Sequence, residues 1–139
     1  MARKSISWIL DFTSKLPNEE EQIKCLQAND NGAIRKILEL MFHPGVVWAL
    51  PEGEVPYKPS EYPHQEENLY MEIRRLYLYL DPKCGGATLP PLKRESMFIQ
   101  MMENIDRADA RMMAEIKDRK NPFPGLKPET VQKAYPGIF

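Results

Sequence analysis

Apolar residues recur along most of the chain at three- and four-residue spacing, which lays a single stripe along a helix. Ile6, Ile9 and Leu10, with Trp8 and Phe12 beside them, predict a first helix over about 5–15 that Pro17 stops. Asn18 followed three residues later by Glu21 has the form of a capping box and opens a second helix carrying Ile23 and Leu26, which the Asn-Asp-Asn-Gly run at 29–32 ends. Ile34, Ile37, Leu38 and Met41 then give the full amphipathic pattern up to His43-Pro44-Gly45. Periodicity resumes with Leu69, Ile73, Leu76, Tyr77 and Leu80 and stops at Asp81-Pro82. Pro91 suits the first position of a helix bearing Phe98, Met101, Met102 and Ile105, and Asp106 caps one bearing Met112, Met113 and Ile116. A last short helix is expected over about 128–134.

The stretch between these halves, 44–65, contains Pro44, Pro51, Pro56, Pro59 and Pro63, whose missing amide donors and fixed φ forbid a long helix or a central strand. It reads as an extended loop, with the apolar run 46–50 docked on the helices and Glu52-Gly53-Glu54 as an exposed turn. The expected architecture is therefore all-α: one domain over 1–139, with six or seven helices and a proline-rich loop wrapped across them. Ile34, Ile37, Leu38, Met41, Ile73, Leu76 and Leu80 are expected in its core, because two apolar stripes leave water only by facing each other.

Composition narrows the class of function. Hydrophobic residues at 42% and charged residues at 28% are globular values, and a formal charge of −1 lacks the footprint of a general nucleic-acid coat. Any nucleic-acid contact must come from a local patch. Residues 1–69 carry seven Lys/Arg against eleven Asp/Glu and residues 70–139 carry twelve against nine, which makes the second half the expected basic face. With no signal-peptide pattern and no run of roughly 20 apolar residues, the chain reads as soluble and intracellular, without a membrane partner.

No catalytic constellation is visible. Cys25, His43, His64 and Cys84 lie on separate elements without metal-site spacing, so no metal is expected; Gly85-Gly86 lacks the rest of a phosphate loop, so neither a cofactor nor a small-molecule substrate is expected. The methionines at 97, 101, 102, 112 and 113 suit either a packed core or an adaptable protein-binding groove. Candidate binding residues are Trp48 and Tyr57 on the loop and Arg74, Arg75, Lys93, Arg94, Arg107 and Arg111 on the basic helices, since aromatic and arginine side chains dominate binding energetics. Their blander reading is loop anchors and solvated charge. Should those positions prove inert, the acidic helices of residues 5–43 are the next candidate surface.

Beyond the residues themselves, four stretches carry a resemblance. The opening Ser5-Ile-Ser-Trp-Ile-Leu, the Asn29-Asp-Asn run before a helix, the Trp48-Ala-Leu-Pro-Glu-Gly-Glu-Val-Pro-Tyr-Lys-Pro59 loop and Lys93-Arg-Glu-Ser-Met-Phe98 resemble a family of small proteins of T4-type bacteriophages, which includes those called comC-alpha or goF and is labelled as modulators of mRNA metabolism. The resemblance spans nearly the whole chain and brings no catalytic residues with it. It implies a regulator in the cytoplasm of an infected bacterium, acting in antitermination by binding a host termination or RNA-processing protein such as Rho, or an RNA-decay factor. The alternative is direct binding of RNA through the basic half, to shield transcripts.

Overall fold

The structure is a computed structural model that describes residues 3–139. Within them the chain forms seven α-helices: α1 (Ile6–Ser14), α2 (Glu19–Ala28), α3 (Gly32–Phe42), α4 (Asn68–Glu72), α5 (Pro91–Asn104), α6 (Arg107–Lys117) and α7 (Pro128–Ala134). The starts follow the capping chemistry. Ser5, Asn18, Asn31 and Asp106 each accept from free amides of the first turn, and Pro91 and Pro128 occupy first turns where a missing amide costs nothing. Each side-chain cap is worth about 1 kcal/mol.

α2 runs along α7, α1 packs on α6 and α2, and α5 on α6. Ile6, Leu10, Leu26, Ile34, Ile37, Leu38, Leu69, Leu76, Met102, Met113 and Leu126 meet in one fully buried core. The Tyr135 hydroxyl donates to the Leu26 carbonyl and ties α7 to α2. Four of the five methionines in the α5–α6 stretch are buried and Met97 is partly so, so they serve as core packing rather than as an open groove. Two distant stretches of the chain come close together at Gly125, where a Cβ would stand 2.2 Å from the Ser14 carbonyl oxygen.

One helix departs from its expected form. After the short α4 the backbone tightens into a 3-10 helix over Ile73–Tyr79. At three residues per turn, Ile73, Leu76 and Tyr79 share one side while Arg74 and Tyr77 share another. Tyr79 therefore enters the core, edge-on to Phe98 at 5.1 Å between centroids, and Tyr77 points to solvent. Ile73 is only partly buried; the other six expected core residues are buried.

The proline-rich segment is extended, as expected, and firmly fastened. Ala49 N–H donates to Tyr79 O and Asp81 N–H to Val47 O, which makes an isolated antiparallel bridge between Trp48 and Leu80. Lys117, almost fully buried, donates through Nζ to the carbonyls of Pro51 (2.7 Å) and Gly53 (3.1 Å) and to Asp118 Oδ1. Farther on, Lys58 N–H donates to Glu103 Oε2 at 2.7 Å. No helix among the described residues is long and apolar enough to cross a membrane.

Candidate functional site

The most distinctive surface forms where the start of α1, the end of α2, the first turns of α3 and the 3-10 helix converge. Ser5 Oγ accepts from Trp8 N–H, and the carboxylate of Asp109 on α6 accepts from Ser7 N–H at 2.9 Å, which fixes how α1 begins. Trp8 and Phe12, one turn apart, are left facing outward and stacked at 5.3 Å with 9° between their planes. Each is 48% exposed, a large apolar area to leave in water. Lys4 Nζ sits 5.0 Å from the centre of the Trp8 ring.

Tyr70 on α4 forms the middle of the surface. The Arg3 guanidinium lies 3.7 Å above its ring, and the Tyr70 hydroxyl donates to Lys4 O. Arg3 also grips both carboxylate oxygens of Glu67, and those hydrogen bonds hold the Glu67 carboxyl below the ordinary glutamate range. Burial pushes the Tyr70 phenol up, so the ring stays neutral. Beyond it the 3-10 winding presents Arg74 and Tyr77, and α3 contributes Lys36 from its second turn.

These residues line two cavities of about 280 and 500 Å³ that share Arg3, Asn31 and Tyr70 and so form one groove. Among the described residues, four cations (Arg3, Lys4, Lys36, Arg74) and four aromatic rings (Trp8, Phe12, Tyr70, Tyr77) line it, and no Asp or Glu does. Arg3 and Lys36 are partly neutralised by Glu67 and Glu39 at the rim, whereas Lys4 and Arg74 have no carboxylate partner among the described residues. Cations set among exposed aromatic rings are the means by which proteins hold the phosphates and bases of nucleic acid.

On the other side of α1 the balance reverses. A cleft of about 530 Å³ between α1 and α6 shares Lys4 and Trp8 with the groove but is lined by Asp11, Glu66, Asp106 and Glu115, with Arg111 as its other cation. Asp109 lies fully buried between the two helices, and its Oδ2 has no hydrogen-bond partner. Burial, against the Ser7 hydrogen bond, raises its carboxyl to about 6.

The sequence-derived candidates are dispersed over this frame. Only Arg74 lies in the groove. Arg75 pairs loosely with Glu72, Lys93 is exposed on α5, Arg107 is exposed on α6 and Arg111 lies in the acidic cleft. Arg94, expected on a binding surface, is instead 6% exposed and donates to the carbonyls of Leu78 and Ala87, so it ties α5 to the 3-10 helix and is out of reach of a partner. Trp48 and Tyr57 are partly buried against the core, and the buried Trp48 indole N–H has no acceptor. From the sequence, Trp8, Phe12 and Tyr77 belong to helix stripes, Tyr70, Tyr77 and Tyr79 are rings near the basic positions that could stack on bases, and Arg3, Lys4 and Lys36 fall in the half with more acids than bases. The usable signal was the pair Trp8 and Phe12, one turn apart on a helix whose other face already supplies the core.

Cys25, His43, His64 and Cys84 sit apart, and no group of three or more His, Cys, Asp or Glu that could hold a metal occurs among the described residues. The chain belongs to the family described as Family of unknown function (DUF6433), which matches residues 9–121. That span takes in every groove residue named above except Arg3, Lys4 and Trp8. No curated protein and no solved structure matches the chain.

Proposed function

We propose that this member of the DUF6433 family is a non-enzymatic regulatory protein that binds RNA in the groove between α1, α3 and the 3-10 helix. The observation that carries the reading is a groove of four cations and four aromatic rings without a lining carboxylate, on a chain whose net charge is −1. Charge concentrated in one place on an otherwise neutral molecule marks a local binding site for an anionic polymer. The resemblance to T4-type phage modulators of mRNA metabolism supplies the setting: a host cytoplasm in which the protein holds transcripts and so alters their termination or decay.

A fluorescence anisotropy titration of labelled single-stranded RNA tests this. Reversing two groove charges together, Lys36→Glu with Arg74→Glu, should weaken binding at least about tenfold at moderate salt. Reversing Arg107 and Arg111 on α6 should weaken it far less. Absence of binding by the native chain, or equal loss from both pairs, overturns the assignment to the groove.

A second reading takes a host termination or RNA-processing protein as the partner. The four carboxylates of the α1–α6 cleft, beside the same exposed Trp8, favour it by suiting a basic protein segment. Capture of one host protein from nuclease-treated lysate, abolished by Glu66→Lys with Glu115→Lys, would support that reading against the first.

A further inference from the structure

Resting on the RNA reading, we infer that the groove takes a continuous unpaired strand, with little regard to sequence, by stacking bases at both its ends and running the intervening backbone over cations. The two ends are chemically alike but separate. Trp8 and Phe12 line only the smaller compartment, Tyr77 only the larger, and Tyr70 stands in the wall common to both. Cations follow the same course: Lys4 in the first compartment, Arg3 in the shared wall, Arg74 and Lys36 in the second. A single nucleotide fills one compartment and leaves the rings and charges of the other unused, so the groove is built for a strand that passes through both.

Ring faces decide the form of the strand. Phe12 and Trp8, each 48% exposed, are stacked on each other and act as one platform that keeps an outer face for a base, and Tyr77 is 46% exposed. Paired bases have their faces covered by their neighbours, so a duplex would gain only the contacts between cations and phosphates.

Sequence tolerance follows from the groove amides. Reading a base edge takes an uncommitted donor and acceptor such as an asparagine side chain supplies. Asn31 Oδ1 already accepts from Ile34 N–H at 2.9 Å, and its Nδ2 donates to Asn29 O. Asn29 Nδ2 is likewise committed, to Cys25 O at 2.8 Å. These amides serve the joint between α2 and α3. With these amide groups engaged, stacking, which every base accepts, supplies the larger part of what the bases meet.

The chain has two tryptophans, so Trp48→Phe leaves Trp8 as the only indole reporter. That variant would be titrated with ten-nucleotide oligouridylate, with oligoadenylate, with the duplex of the two, and with uridine monophosphate. Both single strands should quench Trp8 saturably with affinities within about tenfold of each other, and the duplex and the mononucleotide should bind at least tenfold more weakly. Phe12→Ala and Tyr77→Ala should each cost about tenfold, the usual worth of one stacked base. With up to four phosphates neutralised, log K should fall against log salt with a slope no steeper than about −3.

Equal affinity for duplex, a hundredfold preference for one homopolymer, or RNA binding that leaves Trp8 unquenched would each overturn this inference while the RNA reading stood. Failure of every RNA to bind would overturn both. If Trp48→Phe does not fold, the difference in quenching between the native chain and Trp8→Phe carries the same information.

Discussion

The proline-rich loop and the basic groove both carry aromatic rings and cations, and they use them in opposite ways. The cation that holds the loop is Lys117 of α6, 4% exposed, with two loop carbonyls and Asp118 around its ammonium. Of the loop's rings, Trp48 and Tyr57 lean on the core. In the groove Arg74 and Lys4 meet no carboxylate, and Trp8, Phe12 and Tyr77 keep about half their surface in water. A side chain whose hydrogen-bonding and apolar capacity is used up inside the fold stabilises the fold; the same side chain with that capacity unspent is available to a ligand. Residue type does not tell the two apart, whereas partners and exposure do.

The largest effect should come from the support common to both regions. Ile37 on α3 is fully buried, and Ile37→Asp puts an unpaired charge there at a cost of several kcal/mol against a total stability of about 5–15 kcal/mol. Circular dichroism should show an unfolded chain, with the loop fastening and the groove lost together. A cooperative melt at the native temperature would mean that the α3 stripe faces solvent.

Lys117→Met separates the two regions. It keeps the apolar stem and strips the carbonyls of Pro51 and Gly53 of their donor, which should cost about 3 kcal/mol in urea unfolding. Proteolysis near residues 51–58 should speed up, while RNA affinity per folded molecule stays within about twofold of the native value. A larger loss of affinity would show that the loop shapes the groove.

Acid titration probes the groove from beneath, through Asp109 and its hydrogen bond to the start of α1. The folded carboxyl keeps its proton up to about pH 6, whereas in the unfolded chain it lets go near the ordinary aspartate value of 3.8. Between those limits the folded state binds more protons, so this group's contribution to stability falls as pH rises and the full cost, about 3 kcal/mol, is present above about pH 6. Carboxylates held low by cations, such as Glu19 beside Lys133, act in the opposite direction. The measurement is therefore a difference: the stability of the native chain minus that of Asp109→Asn should fall between pH 4 and 6.5. A flat difference would mean that Asp109 is not desolvated.

The smallest effect is expected at the loop's most exposed ring. Tyr62 is 80% exposed, and Tyr62→Ala should shift stability by less than about 0.5 kcal/mol and leave RNA binding unchanged. A marked loss of binding would return the working surface to the loop, where its aromatic content first suggested it.

Much of the fold was legible in the chain. Helical apolar spacing, the caps at Asn18 and Asp106 and the prolines at 91 and 128 located the helices outside the 69–80 stripe to within a residue or two, because those signals are local and each has a single physical cause. The site was less legible. Arg74 was named as a candidate, but Arg94 was named on equal terms, and nothing in their neighbours along the chain foretold that one would meet two carbonyls and the other solvent.

The sequence by itself determined an all-α architecture, the extent of the proline-rich loop and most of the core, since periodicity and capping act over a few residues. Tertiary structure decided the rest. Packing against Phe98 accompanies the tighter 3-10 winding after α4, which a helical stripe does not specify, and that winding buries Tyr79 and turns Arg74 and Tyr77 outward together. It also brought Arg3 and Lys4, more than 60 positions earlier in the chain, beside Tyr70. Three of the groove's four cations come from the half of the chain with more acids than bases. Charge counted along a sequence averages over both sides of a helix, whereas the field a ligand meets is set by which side chains the fold turns toward the same space.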